Sequence, residues 1–206
     1  RRRHTRYISV TGVQTCALPI LITWNEIMLT TEFLPGNRFN EYGHWLKAQD
    51  PETIHEYFGC QLNHEAIDSL IEKWSLNPLN NHFLVAKMNH FWAGTIHIAA
   101  HDNTVEFGII VALSYRKQGI ASHMMTDAIR WARNRFYKNL YMHCICRNHA
   151  IKKLCEKHHL EIKNMLGDSE GNLILPPPTP MTFFIENIKT SQENWAKLFR
   201  LNPLSI

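Results

Sequence analysis

A turn between a predicted strand and a predicted helix carries the residues best suited to bind an anion. It runs from Val111 to Ala121 with the sequence VALSYRKQGIA. The N–H groups at the start of the helix and the positive end of its dipole meet at this turn. Gly119 permits a positive φ or a close approach of a ligand, and Arg116 and Lys117 add positive charge. The alternative is an exposed basic turn without a ligand.

The elements that would position this turn follow from the spacing of apolar residues. Three short segments rich in β-branched and aromatic residues, separated by polar turns, predict an antiparallel meander over residues 82–88, 91–99 and 104–111. Apolar residues recur at helical spacing over 120–136, which predicts a long helix. The turn is therefore expected to join the third strand of the meander to this helix.

Helices and strands on either side complete the predicted fold. Helical spacing covers residues 36–76, before the meander. After the long helix, the patterns predict a strand over 140–146, a helix over 148–158, strands over 160–166 and 181–186, and a terminal helix over 192–201. A polar turn (GDSEGN) and a proline-rich loop (PPPTP) are expected to join the last two strands. This order predicts an α/β fold with a mixed sheet and helices on its faces.

The positive charge of the chain is concentrated at its beginning. The 206 residues carry a formal net charge of +4, from 22 Lys and Arg against 18 Asp and Glu. Residues 1–20 contain four arginines and no acidic residue, so the rest of the chain has 18 basic and 18 acidic side chains. We therefore expect no nucleic-acid partner. No apolar run reaches the length of about 18 residues that a membrane helix requires, so we expect no membrane partner either.

Residues 1–20 resemble the translation of a sequencing-library adapter. The segment 10–20 (VTGVQTCALPI) matches one part of the adapter in frame, residues 1–6 match an upstream part, and Tyr7–Ser9 would be the variable index. We expect an assembly artefact, with Met28 as the start. A native transcript that encodes Arg1–Ile20 would contradict this interpretation.

The remaining chain is predicted to be one domain over residues 28–187 with a terminal helix or tail over 188–206. Its cysteines are Cys60, Cys144, Cys146 and Cys155. No signal peptide follows Met28, so we expect reduced thiols and a cytoplasmic location.

Histidines and cysteines around the predicted strand 140–146 raise the question of a metal site. The segment His143–His149 (HCICRNH) and the pair His158-His159 contain common ligand types. However, Cys-x-Cys on a strand is not a usual zinc spacing, and no second Cys-x-x-Cys pair exists. We expect no metal, and interpret the histidines as satisfied polar groups or substrate contacts.

Two motifs resemble those of the GNAT superfamily of acyl-CoA-dependent N-acyltransferases. Arg116-x-x-Gly119-x-Ala121 is similar to the family's Arg/Gln-x-x-Gly-x-Gly/Ala motif. The segment 148–157 (NHAIKKLCEK) resembles its second motif, commonly Asn-x-x-Ala-Ile-x-Leu-Tyr-Glu-Lys. The resemblance covers residues 82–160 best and implies a GNAT-like fold with a mostly antiparallel central sheet, one β-α-β crossover and helices on both faces.

The resemblance also implies an acetyl-CoA site. Backbone groups of Val111 and Leu113 would pair with the pantetheine arm, and the strands around Val111 and Leu140 would splay to admit the thioester. The turn N–H groups would bind the pyrophosphate, and Asn148 would contact the arm. The implied cofactor-binding residues are Val111, Leu113, Arg116, Lys117, Gln118, Gly119, Ile120, Ala121, Ser122 and Asn148.

Acyl transfer to an amine requires a base, donors for the oxyanion and a donor for the leaving thiolate. The oxyanion donors are expected to be backbone N–H groups near Val111. Glu106 is the candidate base. Strict alternation along the strand places its side chain on the face opposite Val111, so the alternative is a surface or structural carboxylate.

Cys155 stands where the family often has a tyrosine that acts as general acid. A cysteine can donate a proton, but it is shorter and a weaker hydrogen-bond donor. Cys155 also shares an apolar stripe with Ile151 and Leu154. The alternative is therefore a buried, inert thiol.

The predicted function is the transfer of an acetyl group from acetyl-CoA to a primary amine of a small molecule or peptide, directly in a ternary complex. The alternative is a non-catalytic GNAT-like module that binds acyl-CoA as a sensor. The resemblance places the acceptor pocket in residues 36–76 and 160–186. Formation of a homodimer is a possibility that the sequence leaves open.

Overall fold

The computed structural model describes residues 29–145, 148–165 and 168–201. The predicted artefact over residues 1–20, the expected start at Met28 and the last residues of the predicted tail lie outside the described residues, as do Cys146 and Arg147.

In the described part of the chain, seven strands form one sheet in the order β1-β2-β3-β4-β5-β7-β6. Their bounds are β1 (Leu29–Leu34), β2 (Asn81–Met88), β3 (Phe91–His101), β4 (Thr104–Val111), β5 (Asn139–Ile145), β6 (Glu161–Met165) and β7 (Asp168–Ile174). Strands β4 and β5 are parallel, and the other neighbouring pairs are antiparallel. The predicted α/β fold with a mixed, mostly antiparallel sheet is confirmed.

Helices cover both faces of this sheet. They are α1 (Phe39–Lys47), α2 (Pro51–Phe58), α3 (His64–Ser75), α4 (Ile120–Asn134), α5 (His149–Lys157) and α6 (Pro180–Leu201). Residues of α1–α3 share one hydrophobic cluster with Phe83, Val85 and Ile110, whereas α4 and α5 share the cluster on the opposite face. Within the described residues, no helix is long and apolar enough to cross a membrane.

The turns of the meander form where polar residues can take a left-handed conformation. Asn89 and His90, between β2 and β3, have φ values of 47° and 75°, and Asp102, between β3 and β4, has a φ of 49°. Two-residue hairpin turns need such positive φ values, and asparagine and aspartate tolerate them better than most residues. The predicted meander is confirmed with small changes in its bounds.

Two predictions for the C-terminal region are wrong. The polar segment interpreted as a turn lies largely in β7, and residues 181–186 belong to α6 instead of a strand. Gly171 in β7 is buried, and a Cβ there would come within 3.1 Å of Cys155 Sγ. Strand β7 is paired with β5 and β6, and the glycine at position 171 leaves room for Cys155 of α5 to pack closely on it.

Helix α6 stands in place of the predicted strand, and its polar residues one turn apart contact the C-terminal end of α4. Thr182 donates to Asn134 Oδ1 over 2.6 Å, and Glu186 forms an ion pair with Arg135 at 2.8 Å. A local run of β-branched and aromatic residues favours a strand, but it carries no information on these tertiary contacts. Strand β1 also went unpredicted.

Asp127 of α4 connects the first strand to the last helix. Its side chain is buried, with 8% exposure, and it accepts hydrogen bonds from Thr31 at 2.7 Å, Arg130 at 2.9 Å and Lys189 of α6. Burial alone would raise the pKa of Asp127, but the hydrogen bonds from Lys189 and Thr31 outweigh it, and the pKa is lowered. The carboxylate is therefore ionised at neutral pH and stabilises the folded state.

The substitution Asp127→Asn is expected to lower the free energy of unfolding by about 2 kcal/mol at pH 7, because each hydrogen bond to a charged group contributes about 1.5–3 kcal/mol. The stabilisation is present above the ordinary aspartate pKa of about 3.9 and is lost as the pH falls through the lower pKa of the folded protein. Urea unfolding at pH 7 and pH 3 measures both effects.

Asp68→Asn is the matched control, since Asp68 is an exposed aspartate paired with Lys47 at 2.6 Å. Exposed ion pairs contribute below about 1 kcal/mol, so this variant should unfold close to the parent. Equal destabilisation by the two substitutions would contradict the role assigned to Asp127.

Candidate active site

A cleft of about 480 Å³ opens where β4 and β5 part. Parallel pairing joins only Thr104–Glu106 of β4 to Asn139–Tyr141 of β5. Leu140 is still paired with Val105, so the divergence begins beyond the position predicted for it. The cleft is walled by α2, the second half of β4, the turn before α4, the end of β5 and α5.

The turn that the sequence singled out forms the floor of one end of the cleft. Lys117 and Gly119 have positive φ values of 63° and 79°, and α4 begins at Ile120 with Gly119 as its N-cap. No side chain caps this helix end. The first N–H groups of a helix lack intrahelical acceptors, so they are available to an anion in the cleft.

Gly119 is required by its backbone conformation and not by crowding. A Cβ at this position would have no atom within 4 Å. A side chain at a φ of 79° would nevertheless be strained, because the left-handed region costs an L residue about 1–2 kcal/mol.

The side chain of Arg116 braces the turn against α2. Its Nε donates to the Val111 carbonyl at 3.2 Å, its Nη2 donates to Thr53 Oγ1 at 2.7 Å, and its Nη1 lies 3.1 Å from Glu56 Oε2. Asp50, the N-cap of α2, accepts from the Thr53 hydroxyl, and this bond lowers the pKa of Asp50. The guanidinium therefore fixes the wall of the cleft to the end of β4.

Basic side chains accumulate at the end of the cleft formed by α4 and α5. Lys117, Lys153 and Lys157 line it. Ser122 Oγ lies 3.1 Å from His158 Nε2. Burial, followed by the neighbouring charges of Lys157 and His159, lowers the pKa of His158, so this imidazole is neutral at pH 7. A phosphate at this end would meet a hydroxyl and several positive charges.

Most of the residues implied to bind a cofactor line this cleft: Val111, Arg116, Lys117, Gly119, Ile120, Ala121, Ser122 and Asn148. Asn148 is also the N-cap of α5, where its Oδ1 accepts from the Ile151 N–H at 3.2 Å. Leu113 and Gln118 do not line the cleft: Leu113 is exposed, and Gln118 Nε2 donates to the Ser114 carbonyl at 3.2 Å.

Glu106 lies at the last paired position of β4, immediately before the divergence. Its side chain is exposed and does not line the cleft. Because β4 pairs with β3 in an unbroken register, Glu106 shares its face with Gly108 and Ile110, on the α1–α3 side, opposite Val111. This is the orientation expected from strand alternation.

Cys155 is placed away from the cleft. Its side chain is fully buried, and its Sγ faces Gly171 of β7. The neighbouring Leu154 lines the cleft, whereas Cys155 does not. This placement favours the interpretation of Cys155 as a buried thiol over that of an acid.

Tyr57 of α2 is a cleft residue that the sequence analysis missed. A Cβ at Gly108 would lie 2.8 Å from the Tyr57 hydroxyl oxygen, so the hydroxyl is packed directly against β4. The one sequence signal was Gly108 itself, since glycine inside a strand often marks the close approach of another group. Burial raises the pKa of Tyr57 to about 12; the hydrogen bond from Tyr42 opposes this rise, and the charge of Glu106 adds to it.

Over residues 29–145, 148–165 and 168–201, no group of three or more His, Cys, Asp or Glu side chains is arranged to hold a metal ion. The predicted absence of a metal remains a prediction.

Solved structures share this fold at low sequence identity. A GNAT-family acetyltransferase from Streptococcus pneumoniae has a TM-score of 0.58 and 18% identity, covering 72% of this chain and 100% of its own. Spermidine N-acetyltransferase from Vibrio cholerae, in a complex with CoA and spermine, has a TM-score of 0.59 and 14% identity, covering 71% and 95%. Ribosomal-protein-alanine N-acetyltransferase from Brucella melitensis has a TM-score of 0.56 and 16% identity, covering 70% and 99%.

No curated protein sequence matches this chain. The family model described as "Acetyltransferase (GNAT) domain" matches residues 38–161, which is more than half of the chain and includes both walls of the cleft. The resemblance of the two motifs, the sheet that diverges between β4 and β5 and this match agree, and the chain belongs to the GNAT acetyltransferase family.

Proposed function

We propose that the protein transfers an acetyl group from acetyl-CoA directly to a primary amine of a small molecule or peptide, in a ternary complex. The observation that carries the proposal is the continuity between the β4–β5 divergence and the open N-terminus of α4. A cleft of about 480 Å³ spans both. Its shape suits an extended donor with an anionic end.

The donor end of the cleft has the groups that a diphosphate requires. The N–H groups of the turn and of the first turn of α4 are presented by the positive φ values at Lys117 and Gly119. Lys153, Lys157 and Ser122 stand beside them. Beyond Glu106, the edge of β4 no longer pairs with β5. Its backbone groups, apart from the Val111 carbonyl that accepts from Arg116, are therefore proposed to pair with an arm that binds like an added strand.

The acceptor is proposed to reach the thioester from the α1–α3 side of the sheet. A primary amine with a pKa near that of lysine, about 10.4, is protonated at pH 7 and must lose a proton before its nitrogen can attack. Glu106 lies on this side, exposed and next to the divergence, and is proposed to accept that proton directly or through water. The cytoplasmic location and the homodimer stay predictions.

The test is a thiol-release assay with acetyl-CoA against polyamines, amino acids, aminoglycosides and peptide N-termini. We expect release that depends on both acetyl-CoA and one class of amine. Tight binding of acetyl-CoA without release for any amine would favour the acyl-CoA sensor, and absence of binding would contradict both functions.

The substitution Gly119→Ala is expected to weaken acetyl-CoA binding at least tenfold, because a Cβ at this φ forces the turn N–H groups out of their arrangement. Gly59→Ala is the matched control, since Gly59 has a φ of 76° and equally open surroundings but ends α2 away from the lining of the cleft. Both variants should lose about 1–2 kcal/mol of unfolding free energy. Calorimetric titration with acetyl-CoA separates them, and equal affinities in the two variants would contradict the assigned role of the turn.

The substitutions Glu106→Gln and Cys155→Ser are expected to differ in turnover. Loss of a general base lowers kcat by about 10²-fold or more at pH 7, and the deficit should shrink as the pH approaches the pKa of the amine. Cys155→Ser should keep most of the activity, because the thiol lies outside the cleft. Steady-state kinetics between pH 6 and 10 measure both. Full activity of Glu106→Gln would contradict the assignment of Glu106 as the base. Complete loss of activity in Cys155→Ser, with acetyl-CoA affinity intact, would contradict the assignment of Cys155 as an inert thiol.

A further inference from the structure

A pair of tyrosine hydroxyls lies at the wall where α2 meets β4. The hydroxyl oxygens of Tyr42 and Tyr57 are 3.5 Å apart, with Tyr42 as the donor. Tyr42 is fully buried, and its ring packs on Phe83 with centroids 4.3 Å apart. Because Tyr42 donates within the pair, the proton of Tyr57 can be given to another acceptor, and Tyr57 lines the cleft.

The Tyr57 hydroxyl is located at the divergence of the strands. It occupies the space above Gly108, where a Cβ would be only 2.8 Å away. Gly108 is two residues beyond Glu106, the last residue of β4 that pairs with β5. The hydroxyl therefore stands beside the first backbone groups that β4 presents to the cleft.

The contacts of the Arg116 guanidinium with α2 fix the position of Tyr57. Thr53, one helical turn before Tyr57, accepts from Arg116 Nη2 at 2.7 Å, and Glu56, its direct neighbour, pairs with Nη1 at 3.1 Å. The same guanidinium contacts the Val111 carbonyl. Tyr57 is thus fixed relative to the end of β4, as a group that acts on a reacting atom must be.

The protonation state of Tyr57 determines which role it can have. Its pKa of about 12 keeps the hydroxyl protonated throughout the neutral range. Transfer of its proton to a thiolate, whose conjugate thiol has an ordinary pKa of about 8.5, would be unfavourable by about 3.5 pKa units. Tyr57 is therefore suited to donate a hydrogen bond to a developing oxyanion without losing its proton.

We propose that the Tyr57 hydroxyl is a donor to the acyl carbonyl oxygen of the thioester, an assignment that rests on the proposed function. The amine nitrogen forms the C–N bond while the carbonyl electron pair moves to the oxygen. This pair then returns, and the C–S bond breaks with its electrons on sulfur. The proton that the nitrogen loses as the amide forms passes to the sulfur, directly or through water, so CoA leaves as the thiol. Tyr57 keeps its proton throughout and stabilises the charge on oxygen together with backbone N–H groups of β4.

The experiment compares Tyr57→Phe with Tyr42→Phe, since each removes one hydroxyl of the same pair. For Tyr57→Phe we expect kcat to fall about 10²-fold, the magnitude typical of losing one oxyanion donor. KM for acetyl-CoA should rise by no more than about fivefold, the loss expected for one neutral hydrogen bond. The fall in kcat should be the same from pH 6 to pH 10, because the hydroxyl stays protonated over this range. Tyr42→Phe should keep kcat within about threefold of the parent, because a buried hydroxyl behind Tyr57 does not reach the oxygen.

A binding measurement tests the same contact without turnover. The hydroxyl meets an acyl oxygen that acetyl-CoA has and CoA lacks. Tyr57→Phe should therefore weaken acetyl-CoA binding about fivefold, within the range for one neutral hydrogen bond, and leave CoA binding unchanged. Calorimetric titration with the two ligands provides this ratio even if no acceptor amine is found, so it separates failure of this proposal from failure of the transferase.

Gly108→Ala is the second variant, since its Cβ would displace the hydroxyl while Tyr57 is retained. It should reproduce the loss of kcat. The proposal is overturned if Tyr57→Phe keeps its kcat and its preference for acetyl-CoA, if Tyr42→Phe loses as much, or if the deficit is confined to one limb of the pH profile. A parent protein that binds neither ligand would overturn this proposal together with the proposed function.

Discussion

The end of parallel pairing between β4 and β5 is the constraint on which the rest of the site depends. Two neighbouring parallel strands normally satisfy each other's backbone groups, but here the ladder stops at Glu106 and Tyr141. Beyond it, β4 carries backbone donors and acceptors toward a cleft and leads directly into the turn before α4. A ligand that is extended at one end and anionic at the other can satisfy both sets of groups at once.

The cleft that opens at the divergence also needs a rigid wall, and Arg116 provides it by connecting α2 to the end of β4. In the motif, the arginine is associated with an anion, yet its guanidinium joins Thr53 and Glu56 of α2 to the Val111 carbonyl. The end of the cleft that is proposed to bind an anion is formed by backbone N–H groups and by lysines from the turn and α5. Positive charge therefore has two locations within a few residues. In Arg116 it fixes the geometry of the wall, and in Lys117 it lies at the end of the cleft proposed to bind phosphate.

The parts of the fold that could be predicted are those specified by local patterns. The meander, the helix after Gly119 and the helix after Asn148 have apolar periods, turn residues and caps within a few positions of one another. The secondary structure after residue 165 could not be predicted from such local patterns. Strand β7 pairs with β5 and β6 and packs through Gly171 on α5, and α6 makes polar contacts with the end of α4. Both are long-range contacts that leave no period in the sequence.

The sequence by itself determined the turn at Gly119 that opens α4, the order of the elements around it and, through the two motifs, the family. These depend on residue type and spacing along the chain, because a positive φ, a helix start and strand alternation are local properties. Only the tertiary structure decided which side chains meet at the cleft. It placed Cys155 against Gly171 of β7, outside the lining of the cleft, and it packed α1–α3 on the face of the sheet that carries Glu106. It also brought Tyr57 onto Gly108 from 51 positions away in the sequence. Contacts between residues so far apart in the sequence result from how helices pack on a sheet. This packing is determined by the whole core rather than by any one segment.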